Sequence, residues 1–297
     1  ATSGSASSGT SPGTGPKTVA CPSGQKVIWY LNLADPNWQN GLNFTFGNGK
    51  LKGWNGGTDN NVSVVADPSM GQVLKVFYGA KSGPNSCFTC QAVGSTAPSC
   101  TCKTSGGAEF YVDFGGGKVL ESAFLSYWVK FGDATTPFDF GRAGKMPGLA
   151  GGIPVSGLNT TDGSGFTGRG MWRSGICAGK SSELYWYGLP AGSSNTDECG
   201  KGPSWDWQAD AQWHQVLMQL KMNTGSNSDG RVQLWYDQPP TATPQIDVTT
   251  VGMVDRTQFP KNSVNQFMFS TFFGGHDNTW GPSSDVNAYF ADIQVCN

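Results

Sequence analysis

Charge is scarce in this chain. Lysine and arginine together number 19 and aspartate and glutamate 21, so 13% of the 297 residues are charged and the net charge is −2. Such a chain has no basic field with which to grip nucleic acid. No apolar run approaches the ~18–20 residues a membrane span requires, so no membrane partner is expected. Histidine occurs twice, at 214 and 276, too few for a histidine-based metal site, and a Ser-His-Asp hydrolase would have to use one of the two. Glutamate occurs four times, at 109, 121, 183 and 198, with no close acidic pair on one strand face, which weakens a two-carboxylate glycosidase. Strong helix formers do not run together, which argues against a bundle or coiled coil.

In place of charge there are 43 glycines and 11 tryptophans, and aromatic residues make up 12% of the chain. Apolar and polar residues alternate with period two between glycine- and asparagine-rich breaks, at 62–65, 73–78, 109–114, 123–131, 166–172, 184–187, 213–222, 231–236, 266–273 and 288–295. Many short strands without intervening helices predict an all-β jelly-roll sandwich of two antiparallel sheets, with a concave substrate cleft. Residues 1–18 hold no large apolar side chain, so they read as a flexible Ser/Gly/Thr/Pro-rich linker remnant ahead of a single domain at 19–297. Eight cysteines and sequons at Asn43, Asn61 and Asn159 fit a secreted, extracellular protein. Cys87, Cys90, Cys100 and Cys102 could make a zinc knot, but an oxidising compartment favours disulfides. Cys177 and Cys199 bracket one strand, and Cys21 and Cys296 could join the two ends of the domain.

Several side chains stand out by their placement. In Phe166–Arg173, alternation puts Thr167, Arg169, Met171 and Arg173 on one face and Gly168, Gly170 and Trp172 on the other. In Glu183–Gly188, Tyr185 and Tyr187 share a face while Leu184 and Trp186 take the core, so the tyrosines point outward. Lys145 lies in a Gly/Pro-rich stretch that reads as a loop, where a solvated lysine is the plain alternative to a functional one. His214 shares a face with Val216, Met218 and Leu220 and reads as structural. His276 follows a strand end, where loops build sites. Trp54, Trp172, Trp205, Trp207 and Trp280 could stack on sugar rings, although most tryptophans in sandwiches are core.

Lys-Met-Pro-Gly-Leu-x-Gly-Gly from Lys145, then Arg169-Gly-Met-Trp-Arg173, then Tyr185-x-Tyr187, resembles the pattern of polysaccharide lyase family 14. Phe269–Gly275 and Asp285…Tyr289-Phe290 extend the resemblance, which runs in order over about 27–295. It implies a β-jelly-roll lyase acting on alginate or polyglucuronate. It places catalytic roles on Lys145, Arg169, Tyr185 and Tyr187. The family serine two places before the arginine is Thr167 here, and the insert carrying Cys177 is a further departure from the pattern. Thr167, Arg173, His276 and Trp280 are the expected substrate-binding residues.

The chemistry such a lyase performs asks for these residue types. Removing the C5 proton of a uronate builds negative charge next to its carboxylate, which positioned cations relieve. Arg169 offers a planar, permanently charged fork, and Arg173 either helps or pairs with a nearby acid. A phenol is a poor base at neutral pH unless neighbouring positive charge favours its anion. Tyr187 or Tyr185 is therefore the expected base, with Lys145 or the other tyrosine protonating the leaving oxygen; at alkaline pH the lysine could itself be the base. No metal or other cofactor is called for, and the expected partner is an acidic polysaccharide, β-1,4-glucuronan before alginate, bound by a monomer that cuts internally. Two alternatives stay open at this point: a non-catalytic carbohydrate-binding module on the same scaffold, and a glycoside hydrolase.

Overall fold

The structure, a computed structural model, describes residues 21–46, 61–82, 106–114, 116–153, 163–177, 179–188, 196–198, 204–274 and 279–297. Residues 1–18, Trp54, the Cys87–Cys102 group, Asn159, Cys199, His276 and the side chain of Cys177 lie outside the described residues.

Fifteen strands and no helix occur among the described residues, in two antiparallel sheets. The strands are β1 (Val27–Tyr30), β2 (Asn43–Phe46), β3 (Val62–Asp67), β4 (Gly71–Tyr78), β5 (Ala108–Asp113), β6 (Ser122–Phe131), β7 (Ala143–Gly152) and β8 (Gly165–Cys177). They continue with β9 (Lys180–Tyr187), β10 (Thr196–Glu198), β11 (His214–Lys221), β12 (Gly230–Tyr236), β13 (Ile246–Val251), β14 (Gln266–Thr271) and β15 (Val286–Cys296). One sheet runs β13-β12-β11-β6-β15-β4-β3, with β1 also on β15, and the other runs β10-β9-β8-β7-β14-β5-β2. The expected jelly-roll sandwich is what the chain forms.

Alternation along each strand builds the core. From the eight-stranded sheet, Leu125, Tyr127, Val129, Phe131, Val216, Met218 and Phe290 point inward; from the seven-stranded sheet, Phe110, Phe166, Trp172, Leu184, Trp186, Phe267 and Phe269 meet them. The aromatic content goes largely here. Phe131, Phe138, Phe140, Trp172 and Phe273 form a chain of ring contacts with centroids 4.9–6.0 Å apart. Phe131, Phe138, Trp172 and Phe273 are buried and Phe140 partly so; burying a phenylalanine fully stabilises the fold by about 1.5–3 kcal/mol. Trp172, Trp205 and Trp207 belong to this core, so they are not sugar platforms. Cys21 is bonded to Cys296, tying the segment before β1 to the end of β15. Asn61 is buried, with its amide donating to Gly107 O at 3.1 Å, which closes that sequon to a glycan.

β7 corrects the sequence reading. The stretch read as a loop is a ten-residue strand between β8 and β14, buried along almost its whole length. Lys145 stands opposite Met171 and Gly148 opposite Arg169, so Met146 and Pro147 together face a single residue, Gly170. That is a bulge, the one interior setting in which a proline costs no ladder hydrogen bond. A side chain at Gly144 would start 1.9 Å from the Trp172 ring, and one at Gly148 would start 2.1 Å from Gly168 O and 2.5 Å from Arg169 Cβ. The glycines are there because neighbours on both faces fill the space.

Candidate active site

The side chains of interest lie on the outer face of the seven-stranded sheet, away from the core. β7, β8 and β9 are adjacent, and their register sets Arg169 beside Tyr185 and Thr167 beside Tyr187. Ala143, Met171, Tyr185 and Tyr187 form a small cluster there, with Trp280 packed against it. The tyrosines do point away from the core, but they are not open to solvent. Lys145 is 8% exposed, Tyr185 6%, Tyr187 3% and Arg169 0%, and Thr167 is fully buried as well.

Within this cluster the two phenols share a hydrogen bond, Tyr185 Oη to Tyr187 Oη at 2.6 Å, with rings nearly perpendicular at 88°. Lys145 Nζ lies 4.6 Å from the centre of the Tyr185 ring and 5.0 Å from that of Phe272. The Arg169 guanidinium lies 5.3 Å from the Tyr185 ring. Burial, reinforced by the positive charges of Arg169 and Arg173, pushes the Lys145 amine down to about 7; Glu109 and Glu183 oppose that shift but do not cancel it. A lysine in this state is a large fraction neutral at neutral pH, which gives it a lone pair to accept a proton.

The arginine is held by residues the sequence reading passed over. Its Nη1 donates to Ser270 Oγ at 2.8 Å and lies 3.3 Å from Met268 Sδ, and Ser270 Oγ donates to Glu109 Oε2 at 2.9 Å. Glu109 Oε2 is 4.0 Å from Nη1. The opposite edge of the guanidinium, Nε and Nη2, has no hydrogen-bond partner among the described residues. Ser270 and Glu109 face each other across β14 and β5. Ser270 lies in the Phe269–Gly275 motif, and Glu109 is one of four glutamates, so scarcity was the available signal.

Of the remaining expected residues, Arg173 pairs with Glu183, Nε to Oε1 at 3.3 Å, the acid pairing foreseen as its alternative role. Trp280 is half-buried at the edge of the cluster, with Arg142 5.9 Å from its ring. His214 lies elsewhere, between Asp237 at 2.6 Å and Asp210 at 3.0 Å and stacked on Tyr236, in keeping with a structural role. Among the described residues no group of three histidine, cysteine or acidic side chains could hold a metal ion.

Comparison with known proteins adds to this geometry. The family profile described as Polysaccharide lyase 14 matches residues 91–293. Among solved structures, the marine PL-14 alginate lyase from Aplysia kurodai aligns with a TM-score of 0.61 at 20% identity, covering 91% of this chain and 98% of that one. The alginate lyase vAL-1 from Chlorella virus gives 0.58 at 20% identity over 91% and 99%. Alginate lyase Aly36B, as a mutant in complex with alginate trisaccharide, gives 0.59 at 20% identity over 90% and 92%. At these identities the structural likeness establishes the shared fold. Among curated proteins, none matches.

Proposed function

The chain belongs to the polysaccharide lyase 14 family and is a polysaccharide lyase, and on that premise we propose that it cleaves a 4-linked polyuronate internally by β-elimination at the Lys145–Arg169–Tyr185–Tyr187 cluster. One observation carries this reading: a buried lysine whose amine is pushed down to about 7 lies against a hydrogen-bonded phenol pair, with a sealed guanidinium beneath. Neutral Lys145 takes the proton from C5 of the uronate. The C5–H electron pair forms the C4=C5 double bond, the C4–O4 bond breaks, and O4 leaves with its electrons. A phenol of the Tyr185–Tyr187 pair gives its proton to O4. The resulting ammonium and phenolate return to neutral amine and phenol by passing one proton between them through solvent.

Arg169 has a different part from the one its fork suggests. With no exposed surface, it acts from beneath the Tyr185 ring as a fixed positive charge that stabilises the developing anion and keeps Lys145 from holding a proton too tightly. The scheme calls on no metal or other cofactor. β-1,4-Glucuronan is the first substrate to try and alginate the second. The Cys21–Cys296 disulfide supports a secreted enzyme.

The test is incubation with glucuronan, alginate and neutral β-glucans while following both the absorbance of the 4,5-unsaturated uronate and the reducing ends. The two signals are expected to rise together on a polyuronate. Reducing ends without the chromophore would mean hydrolysis and would overturn the mechanism.

A further inference from the structure

A lyase for an acidic polymer needs a cation that the substrate can touch, and the four cations on or flanking β7 and β8 differ sharply in this respect. Arg169 is sealed. Arg173 is engaged by Glu183. Lys145 is nearly covered and has its amine pushed down to about 7. Arg142, immediately before β7, is exposed and makes no ion pair with any acid among the described residues.

Its position is fixed by the main chain. Arg142 N–H donates to Trp280 O at 3.1 Å, and Arg142 O accepts from Ser174 N–H at 3.2 Å. The preceding Gly141 lies so tightly under the Trp280–Gly281 backbone that a Cβ would fall 2.5 Å from Trp280 O. The guanidinium is 5.9 Å from the Trp280 ring, and Trp280 packs against the cluster of Ala143, Met171, Tyr185 and Tyr187. A free planar cation beside a half-buried indole, joined to the reaction cluster by that same indole, presents the two surfaces an acidic sugar recognises: an apolar ring face and a fork for its carboxylate.

We propose that Arg142 and Trp280 form a subsite for a uronate residue next to the one cleaved, with the sugar ring against Trp280 and its carboxylate held by Arg142. The inference rests on the polyuronate-lyase reading but is tested apart from it. Acidic oligosaccharides are titrated by calorimetry into the Lys145→Ala protein, alone and combined with Arg142→Gln or Trp280→Ala; carboxyl-reduced oligosaccharides serve as neutral probes. Arg142→Gln is expected to weaken acidic binding at least tenfold and to leave binding of the neutral probe within twofold, whereas Trp280→Ala weakens both. In the otherwise native enzyme, Arg142→Gln is expected to raise KM for the polymer far more than it lowers kcat. Equal acidic affinity with and without Arg142, or an equal loss for both probes, would overturn the subsite even if the wild-type enzyme cleaves polyuronates. Failure of the wild type to cleave any polyuronate would instead sink the functional reading.

Discussion

Lys130 and Arg231 on the outer face of one sheet and Lys145 and Arg169 on that of the other are treated in opposite ways. On the eight-stranded sheet, Lys130 and Arg231 are each closed by an acid. Lys130 Nζ meets Asp67 at 2.6 Å and lies between the rings of Trp213 and Tyr289. Arg231 grips Asp247 through two bonds, of 2.8 and 2.6 Å. On the seven-stranded sheet, Arg169 has its nearest carboxylate oxygen at 4.0 Å and Lys145 has no ion pair among the described residues. A buried cation left without a full partner is costly, several kcal/mol where water is excluded. A face built for stability would have closed these pairs as the other sheet does. Burial first, and then the positive charges of Arg169 and Arg173, lower the proton affinity of Lys145, which is what a base at neutral pH requires.

The severest test of this contrast is removal of the amine. Lys145→Ala, and separately Tyr187→Phe, are expected to lower kcat by at least ~10²-fold, the usual scale for losing a general acid or base, with the fold retained by circular dichroism. The active form of Lys145 is the neutral amine, which exists above its pKa. Wild-type kcat/KM is therefore expected to rise with pH through a limb near 7. Near-native rates in both variants would remove the basis for assigning chemistry to this face.

A cut on the other sheet should damage stability and spare the chemistry. Asp67 is held well below the usual carboxylate range: its partial burial works in the other direction but is outweighed by hydrogen bonds from Lys130 and Ser69. A depressed acid contributes stability above its unfolded pKa of about 3.9 and loses it as pH falls through the folded value. Asp67→Asn is expected to cost about 1.5–3 kcal/mol at pH 7 in urea unfolding, the range for a hydrogen bond to a charged group. The deficit should shrink toward pH 3, and kcat should stay within twofold.

How much of this was legible in the chain depended on whether alternation survived. All ten segments read from period two became strands, because each has a core face and an outer face. β7 was not legible: four of its ten residues are glycine and its proline occupies a bulge, so no alternation survives along it. Locally such a strand is indistinguishable from a loop, which is why a solvated lysine stands as the alternative to a functional one at 145. The grouping of Lys145, Arg169, Tyr185 and Tyr187 came from the family pattern, and the alternation of Arg169 and the tyrosines agreed with it. Their burial could not be foreseen, since it depends on Trp280 and Phe272 arriving from the far end of the chain. Glu109 and Ser270 were hidden similarly, as partners 161 residues apart.

Glu109 provides a finer probe of the open face. Its negative charge favours the ammonium form of Lys145, and a glutamine there keeps an acceptor for Ser270 while losing the charge. Glu109→Gln should move the acidic limb of kcat/KM to lower pH, so that activity at pH 6 relative to pH 8 increases. A limb that stays in place, or moves upward, would mean that the titrating group is not Lys145.

The smallest effect is expected where the contrast is most complete. Arg231 and Asp247 make the tidiest ion pair on the eight-stranded face, bidentate and short, yet Arg231 is 43% exposed. Solvent screens such a pair, and holding a long side chain in one geometry offsets part of its attraction, so exposed pairs contribute about 0–1 kcal/mol. Arg231→Gln should therefore change unfolding free energy by less than about 1 kcal/mol and leave the rate on polymer unaltered. A larger loss would show that closed pairs on this face carry more of the stability than their exposure allows. The line between a stabilising face and a reacting face would then have to be drawn by geometry alone, since good pairing would no longer mark the quieter side.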